Sequence, residues 1–324
     1  MTSITTAEGR LSTVNPPNEI SPEARFGHDT TFNSRSAIGG IVRPITVRPG
    51  CVIGSNVHVK ANVYLNDKVE LGNHTKVEEN VRIGTSVLIG QGVTIGESTS
   101  IGKHSKIYPG VKIGADFIIG AEVYIEAGAV IEDKVQIGDG TRIGEGSRVL
   151  YMATVGREVL IRRSVKVGQH AIIGHGIKIS GRFGIIICEP GMIGSMVHLN
   201  AVDERIILKP ECRIGNNVYI GPGVVIGLSV HVCENVRIAG STEINSHASV
   251  GQGVSMDWNV RIGVNVVIGH DVIIGKNVVI EASAIIEMGV VIENDVRIGA
   301  CAKILRHRRI RAGTRVEENS TYGL

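Results

Sequence analysis

The hydrophobic pattern of the chain repeats every six residues. At this step, every position in residues 41–185 is Ile, Leu or Val, and after a break in phase the step holds again over residues 202–316 with Met256 as the one exception. A second apolar residue often stands two positions earlier, as in Val93-Thr94-Ile95. Two apolar residues with an outward-facing residue between them are the alternation expected of a short strand with one buried face. We count the stepped aliphatic residue as position zero of its hexapeptide.

A corner follows each predicted strand. Position three is often Gly, Asn or Asp, as at Gly50, Asn56, Asn62 and Asp116. These residue types tolerate the positive φ that a sharp corner requires. A strand this short cannot bury a face alone, but stacked coils satisfy each other's backbone groups and share one core. The pattern therefore predicts an all-β parallel solenoid.

This pattern resembles the hexapeptide-repeat family, and the resemblance covers roughly residues 41 to 320. It implies a single-stranded left-handed parallel β-helix with three hexapeptides in each coil. At about 18 residues per coil and about 4.8 Å between strands, the β-helix would have roughly 14 to 15 coils.

Three segments depart from the repeat. Residues 1–36 are polar and lack the period, so we expect an N-terminal arm that is disordered or covers the first coil of a β-helix spanning residues 37–320. The loss of phase at about residues 180–207 predicts a small loop or bulged coil within the β-helix. Arg308 falls at an inward position, which predicts an open last coil.

Composition narrows the class of protein. Aromatic residues make up only 3% of the chain, so the core must be thin and filled by Val and Ile. A net charge of +3 gives no reason to expect a nucleic-acid partner. We find no run of about 18 apolar residues, so no membrane span is expected. Five scattered cysteines without a CxxC motif indicate reduced thiols, as in a cytoplasmic protein.

The six-residue register sorts the histidines by location. Five fall at position three, the corner slot, and two at position five, on the outward side of a strand. Only two fall at position two, just before the corner. In that order these groups are His74, His104, His170, His247 and His307; His58 and His231; and His175 and His270.

The surroundings of His270 carry a second resemblance. The phrase Ile268-Gly269-His270-Asp271-Val272-Ile273-Ile274-Gly275 is similar to the catalytic phrase of the UDP-N-acetylglucosamine O-acyltransferases and sugar N-acetyltransferases of this fold. The resemblance implies that His270 is the catalytic base and that Asp271 orients it or binds substrate. His175 matches less well, because Gly176 follows it. The family resemblance also implies an acyl-CoA co-substrate, a sugar or nucleotide-sugar acceptor, and a homotrimer with the site between subunits.

The residues give an independent reason for this chemistry. Acyl transfer to an amine or hydroxyl needs a base that works near neutral pH, and histidine is the side chain suited to that. Arg306, Arg308 and Arg309 form a basic cluster near the C-terminus, and arginine pairs well with the phosphates of a coenzyme or a nucleotide-sugar. The same cluster is equally consistent with a solvated end of the β-helix.

Two alternatives remain open. The chain is a non-catalytic scaffold if "IGVNVVIG" is the true counterpart of the catalytic phrase, because Val264 then replaces the histidine. A zinc protein similar to the γ-class carbonic anhydrases is the second alternative, since His170 and His175 have the five-residue spacing of two of its ligands. The third ligand is expected near Lys134, where no histidine stands, and a catalytic zinc needs three protein ligands.

Overall fold

The computed structural model describes residues 2–5, 11–14, 19–27, 29–32, 44–181, 186–187, 191–201 and 204–323. The described residues form short β-strands and no α-helix. No membrane-spanning helix occurs in this part of the chain. The chain divides into two compact units, unit 1 (residues 1–163) and unit 2 (residues 164–324).

Unit 1 is a parallel β-helix with three sheets, and its strands follow one another around the coil. We call these sheets face A (β2 and every third strand after it), face B (β3 and every third strand) and face C (β4 and every third strand). The strands are β1 Thr2–Thr5, β2 Leu11–Val14, β3 Glu19–Ile20, β4 Arg25–Phe26, β5 Thr31–Phe32, β6 Thr46–Val47, β7 Val52–Ile53, β8 His58–Val59, β9 Tyr64–Leu65, β10 Glu70–Leu71, β11 Lys76–Val77, β12 Arg82–Ile83, β13 Leu88–Ile89, β14 Thr94–Ile95, β15 Ser100–Ile101, β16 Lys106–Ile107, β17 Lys112–Ile113, β18 Ile118–Ile119, β19 Tyr124–Ile125, β20 Val130–Ile131, β21 Gln136–Ile137, β22 Arg142–Ile143, β23 Arg148–Val149, β24 Thr154–Val155 and β25 Leu160–Ile161.

The described residues before the repeat also lie on this β-helix. Strands β3, β4 and β5 pair in parallel with β6, β7 and β8, for example Phe26 with Ile53. Strand β2 pairs with β5, and β1 pairs antiparallel with β2. Residues 19–27 and 29–32 therefore cover the first regular coil. Most of the other residues of the predicted N-terminal arm lie outside the described residues, and the boundary at residue 36 stays a prediction.

Unit 2 repeats the same construction, with face A beginning at β26, face B at β27 and face C at β28. The strands are β26 Lys166–Val167, β27 Ile172–Ile173, β28 Lys178–Gly181, β29 Ile186–Ile187, β30 Met192–Ile193, β31 His198–Ala201, β32 Ile207–Leu208, β33 Arg213–Ile214, β34 Tyr219–Ile220, β35 Val225–Ile226, β36 His231–Val232, β37 Arg237–Ile238, β38 Glu243–Ile244, β39 Ser249–Val250, β40 Ser255–Met256, β41 Arg261–Ile262, β42 Val267–Ile268, β43 Ile273–Ile274, β44 Val279–Ile280, β45 Ile285–Ile286, β46 Val291–Ile292, β47 Arg297–Ile298, β48 Lys303–Ile304, β49 Arg309–Ile310, β50 Arg315–Val316 and β51 Thr321–Tyr322.

Burial follows the predicted period. In a regular strand, the second residue is buried and the first faces outward, as in β42, where Ile268 is buried and Val267 is exposed. The residue before the strand is also buried, as at Val266. Coil stacks on coil with a register of 18 residues, for example Val267 with Ile285. The predicted all-β parallel solenoid is confirmed in each unit.

The break in phase consists of two insertions at one corner. Strand β28 pairs with β31 over four residues, and the chain after each of these strands is longer than one hexapeptide. The position that pairs with Val167 on face A is Ile187, and the next is Leu208. The phase therefore shifts after Ile179 and again after Leu199, and both shifts fall within or at the edge of the predicted interruption at about residues 180–207.

The C-terminal coil keeps its strand pairing. Strands β49, β50 and β51 pair in parallel with β46, β47 and β48. Arg308 does not enter the core: it is exposed, and its guanidinium donates a hydrogen bond to the carbonyl of Gly323 at 2.6 Å. The expectation of an open last coil is wrong, because the arginine turns outward while the backbone ladder stays intact.

The described cysteines are free thiols. Cys51 and Cys212 are buried, Cys233 is half-buried and Cys301 is exposed, while Cys188 lies outside the described residues. Burial raises the pKa of the Cys51 thiol. These four cysteines form no disulfide with one another.

Candidate functional site

His270 lies at the corner between face B and face C of unit 2, which we call the B–C corner. It follows strand β42 by two residues, and its side chain is exposed. Gly269 allows the chain to reach this corner, because a Cβ on it would lie 2.7 Å from the backbone nitrogen of Met288 in the next coil. The glycine of the phrase therefore serves coil stacking.

The ring of His270 is held by a backbone hydrogen bond. Its Nδ1 accepts the N–H of Gln252 at 3.0 Å, one coil earlier. A neutral imidazole that accepts at Nδ1 carries its proton on Nε2. In this arrangement His270 presents a donor to solvent, whereas a general base must present a free lone pair.

Other position-two side chains form the same hydrogen bond. The Oδ1 of Asn216 accepts the N–H of Ser195 at 2.7 Å, and the Oδ1 of Asn294 accepts the N–H of Lys276 at 2.9 Å. In unit 1, the Oδ1 of Asp133 accepts the N–H of Ala115 at 2.8 Å. The contact made by His270 is therefore the histidine form of a recurrent corner bond.

Asp271 is a corner residue. Its φ is 55°, and its N–H donates to the carbonyl of Gln252 at 2.8 Å. Its carboxylate turns back over Gly253, where a Cβ would collide with it. Asp271 and His270 form no hydrogen bond with each other, so the carboxylate does not orient the imidazole in this structure.

His175 lies at the same B–C corner but five strands of face B earlier than His270. At about 4.8 Å per strand the separation is about 24 Å, so the two histidines do not form one site. The N–H of His175 donates to the Oγ of Ser195 at 3.1 Å, and Gly176 takes the corner φ of 64°.

Of the three predicted arginines, two lie on the side of unit 2 that carries His270. Arg306 occupies the His270 position two coils further on, and its N–H donates to the Oε2 of Glu287 at 3.0 Å. Arg308 lies two residues beyond it. Arg309 is separate: it is the outward residue of β49 on face C, and its Nε donates to Glu293 at 2.6 Å.

Arg306 and Arg308 line an open groove, which we call the His270 groove because Gly269, the neighbour of His270, also lines it, although His270 itself does not. It has a volume of about 660 Å³ and lies beside the His270 corner. Its lining includes Val267, Gly269, Ile285, Met288, Arg306 and Arg308. The apolar side chains are well exposed, with values of 46% for Val267, 43% for Ile285 and 44% for Met288. The sequence could have indicated these residues, because aliphatic side chains at outward positions of the repeat are exposed to solvent.

Glu287 is the one acidic side chain in the groove. Its Oε1 lies 3.0 Å from the Nζ of Lys303. The hydrogen bond from Lys303 lowers the pKa of the Glu287 carboxyl, and the N–H of Arg306 lowers it further. Because its charge is already paired, the groove offers apolar surface together with the two arginines.

The histidines assigned to corners and strands lie where the register predicts. The five at position three have φ values of 54° to 60°. His58 and His231 are exposed outward residues of β8 and β36. His170 and His175 lie at opposite edges of face B. Within the described residues, no group of three or more His, Cys, Asp and Glu side chains is arranged to hold a metal ion.

Comparison with protein families agrees with the repeat. Residues 50–85 and 118–150 match the family described as bacterial transferase hexapeptide (six repeats). Residues 92–127 match the hexapeptide repeat of succinyl-transferase. The chain is thus a parallel β-helix of hexapeptide repeats, and the resemblance to the hexapeptide-repeat superfamily is confirmed. The matched segments lie in unit 1 and make up less than a third of the chain, whereas the His270 groove lies in unit 2.

Solved structures give distant similarities. One is a perosamine N-acetyltransferase from Caulobacter crescentus in complex with CoA and GDP-perosamine, 18% identical, with a TM-score of 0.21 over 40% of this chain and 53% of that one. Another is LpxA, a UDP-N-acetylglucosamine acyltransferase from Bacteroides fragilis, 18% identical, with a TM-score of 0.24 over 67% and 63%. A third is the Arabidopsis UDP-N-acetylglucosamine acyltransferase, 17% identical, with a TM-score of 0.24 over 69% of each chain.

The chain therefore spans between half and two thirds of the length of the first two of these structures. No curated protein matches the chain significantly.

Proposed function

We propose that this protein is an acyltransferase that moves an acyl group from coenzyme A to an amine or hydroxyl of a sugar or nucleotide-sugar. The observation that carries the proposal is the His270 groove, which places an apolar strip and two arginines beside the corner that carries the exposed His270. The match to bacterial transferase repeats supports the reaction class.

Each part of the groove has a role in this proposal. Val267, Ile285 and Met288 provide the apolar surface for the acyl chain and the thioester arm. Arg306 and Arg308 bind phosphate, for which the planar guanidinium is well suited. A backbone N–H near the Gly269 corner stabilises the oxyanion as the acceptor attacks the thioester carbonyl.

The role of His270 requires a movement of its ring. With Nδ1 bonded to the Gln252 N–H, the neutral ring has no free lone pair toward the groove. A half-turn about the Cβ–Cγ bond breaks that contact and turns Nδ1 outward. His270 then takes the proton of the attacking acceptor, and the thiolate of coenzyme A leaves.

Substitution of His270 by Asn and by Ala tests the proposal. Asn serves as the corner acceptor at Asn216 and Asn294, so H270N retains the Gln252 bond but cannot accept a proton. We expect the wild type to release coenzyme A from acetyl-CoA in the presence of an amino-sugar panel. Both variants should lose activity by roughly 100-fold or more, and H270N should keep the wild-type melting temperature.

Asn216→Ala provides the matched control. It removes a corner acceptor at the same B–C corner, away from the groove, so it should lower stability and leave turnover unchanged. The proposal fails if H270N is as active as the wild type. It also fails if the wild type consumes no acyl-CoA with any acceptor and calorimetry detects no coenzyme binding.

The proposal includes a homotrimer, as the family resemblance implies, and a location in the cytoplasm, as the scattered cysteines indicate. The groove is open on one side, so a second subunit is expected to close it. Light scattering should give three times the chain mass, and a monomer in solution would exclude a site between subunits.

A non-catalytic scaffold is the second candidate. The recurrent corner bond favours it, because the His270 contact is also formed by Asn and Asp side chains at equivalent corners. Val264 is exposed at position two of the preceding corner, so the alternative phrase has no base there. The H270N experiment separates the two candidates, since a scaffold predicts no turnover in the wild type.

A further inference from the structure

The first coils of unit 2 carry a second group of outward side chains on face B. Ile172, Met192, Arg213 and His231 are the outward residues of four successive strands and pair directly in register. Neighbouring strands lie about 4.8 Å apart. Two apolar side chains are thus followed by two basic ones, and Ile172 and Met192 are 46% and 49% exposed.

Cavities flank this column on both sides. A groove of about 480 Å³ separates it from the corner between face A and face B, where His170, Glu211 and Ser229 lie. A smaller cavity of about 250 Å³ on the other side is also bordered by Met192, Arg213 and His231. A ligand that lies along the column therefore finds space beside each side chain.

Hydrogen bonding determines which groups are available to a ligand. The Oγ of Ser229 donates to the Oε2 of Glu211 at 2.6 Å, so the hydroxyl proton is already used. Arg213 and His231 form no ion pair or side-chain hydrogen bond with a described residue. The donors that remain are a guanidinium and an imidazole on adjacent strands.

The chemistry of these groups favours a monoanion. An arginine fork matches the two oxygens of a carboxylate. The neighbouring Glu211 carboxylate repels anions and offsets part of the Arg213 charge, so this group of side chains suits a ligand with one negative charge better than one with two. Ile172 and Met192 extend the column by about two strand spacings, or about 10 Å, which suits a short hydrocarbon chain.

We propose that this column is a binding site for a small monocarboxylate with an apolar chain. The carboxylate binds Arg213 and His231, and the chain lies over Met192 and Ile172. The site is separate from the His270 groove, whose nearest strand, β42, is two strands beyond β36 on face B. It does not depend on the proposed acyl transfer.

Methyl NMR of the full-length protein with labelled methionine tests the proposal. Hexanoate is the probe, the Met192 methyl reports this site, and Met288 reports the His270 groove. We expect a saturable shift of the Met192 resonance and little shift of Met288. Arg213→Gln should weaken hexanoate binding at least tenfold. Arg261→Gln, an exposed outward arginine of face A, is the matched control and should bind as the wild type does.

Hexanol and hexyl phosphate complete the experiment. Weaker binding of both supports the proposal, since one lacks the charge and the other carries more than one. The proposal is wrong if Met192 does not respond to hexanoate, if R213Q binds as tightly as R261Q, or if hexanol binds as well as hexanoate. Tighter binding of hexyl phosphate would refute the monocarboxylate assignment.

Discussion

At the scale of single residues, the position-two slot explains the state of His270. A side chain with an acceptor atom in this slot can accept a backbone N–H of the preceding coil, which adds a hydrogen bond between coils. Asn216 and Asn294 supply an amide oxygen, and His270 supplies Nδ1. The hydrogen bond to Nδ1 therefore favours the neutral His270 ring with its proton on Nε2.

The tautomer of His270 is a direct prediction. Long-range ¹⁵N–¹H NMR should show Nδ1 without a proton and Nε2 protonated. H270N should leave the Gln252 amide resonance close to its wild-type position, because the Asn Oδ1 accepts the same N–H, whereas H270A should shift it. A ring with its proton on Nδ1 would contradict the hydrogen bond described here.

Gly269 provides a prediction for coil stacking. A Cβ there would lie 2.7 Å from the Met288 backbone nitrogen, so Gly269→Ala forces neighbouring coils apart. We expect a loss of about 1 to 3 kcal/mol in the free energy of unfolding, measured by urea denaturation. Gly313→Asn is the control, because Gly313 has a φ of +70° and open space around it, and Asn tolerates this conformation. Equal stability of both variants would contradict the packing.

At the scale of strands and coils, glutamates at position one connect neighbouring coils. Glu293 accepts hydrogen bonds from the Nε of Arg309 at 2.6 Å and from the N–H of Ala312 at 3.0 Å. Glu281 with Arg297 and Glu287 with Lys303 form ion pairs at the same spacing of 16 residues. Each carboxylate thus ties a corner to the next strand of the sheet.

Acid should weaken these ion pairs between coils. The hydrogen bond from Arg309, and next that from Ala312, lower the pKa of the Glu293 carboxyl in the folded state. A group with a lowered folded-state pKa stabilises the protein above its unfolded pKa of about 4.3, and this contribution is lost as the pH falls toward the folded-state value. Glu293→Gln should therefore flatten the fall of melting temperature in acid. Glu243→Gln, at an exposed glutamate that forms no ion pair with a described residue, should leave it unchanged; equal curves for all three proteins would contradict this.

The fold was largely predictable because the six-residue hydrophobic period can be seen in the sequence itself. Position zero marks the buried strand residues, and the corner assignment of five histidines was correct. The phase shift was visible only as a break. That both insertions fall at one corner follows from the pairing of β28 with β31, which depends on contacts about 20 residues apart.

The candidate site was less predictable. The sequence singled out His270 and Asp271 as neighbours, but their side chains do not bond to each other. The ring bonds instead to Gln252, and Asp271 turns over Gly253. Both partners lie in the preceding coil, so local spacing does not show them. The joining of Arg306 and Arg308 with an apolar strip in one groove likewise requires the stacking of coils.

At the scale of the whole molecule, a solenoid has only nearest-neighbour contacts between coils, so its length is adjustable in whole coils. Unit 2 shows this property, because it absorbs two corner insertions and still returns to a register of 18 residues, as between Ile207 and Val225. The packing of unit 2 therefore depends on the position of each residue within its hexapeptide and not on the total length of the chain.

Deletion of one coil from unit 2 tests this requirement. Removing residues 237–254 joins Val236 to Ser255 and keeps every later residue at its hexapeptide position, while Glu234 takes the place of Gln252 beneath His270. Removing only residues 237–245 shifts later residues by three positions and places corner residues in the core. The full-coil deletion should fold and melt in a cooperative transition followed by circular dichroism, and the half-coil deletion should aggregate. A folded half-coil deletion, or an unfolded full-coil deletion, would show that long-range contacts other than coil stacking determine the structure of this unit.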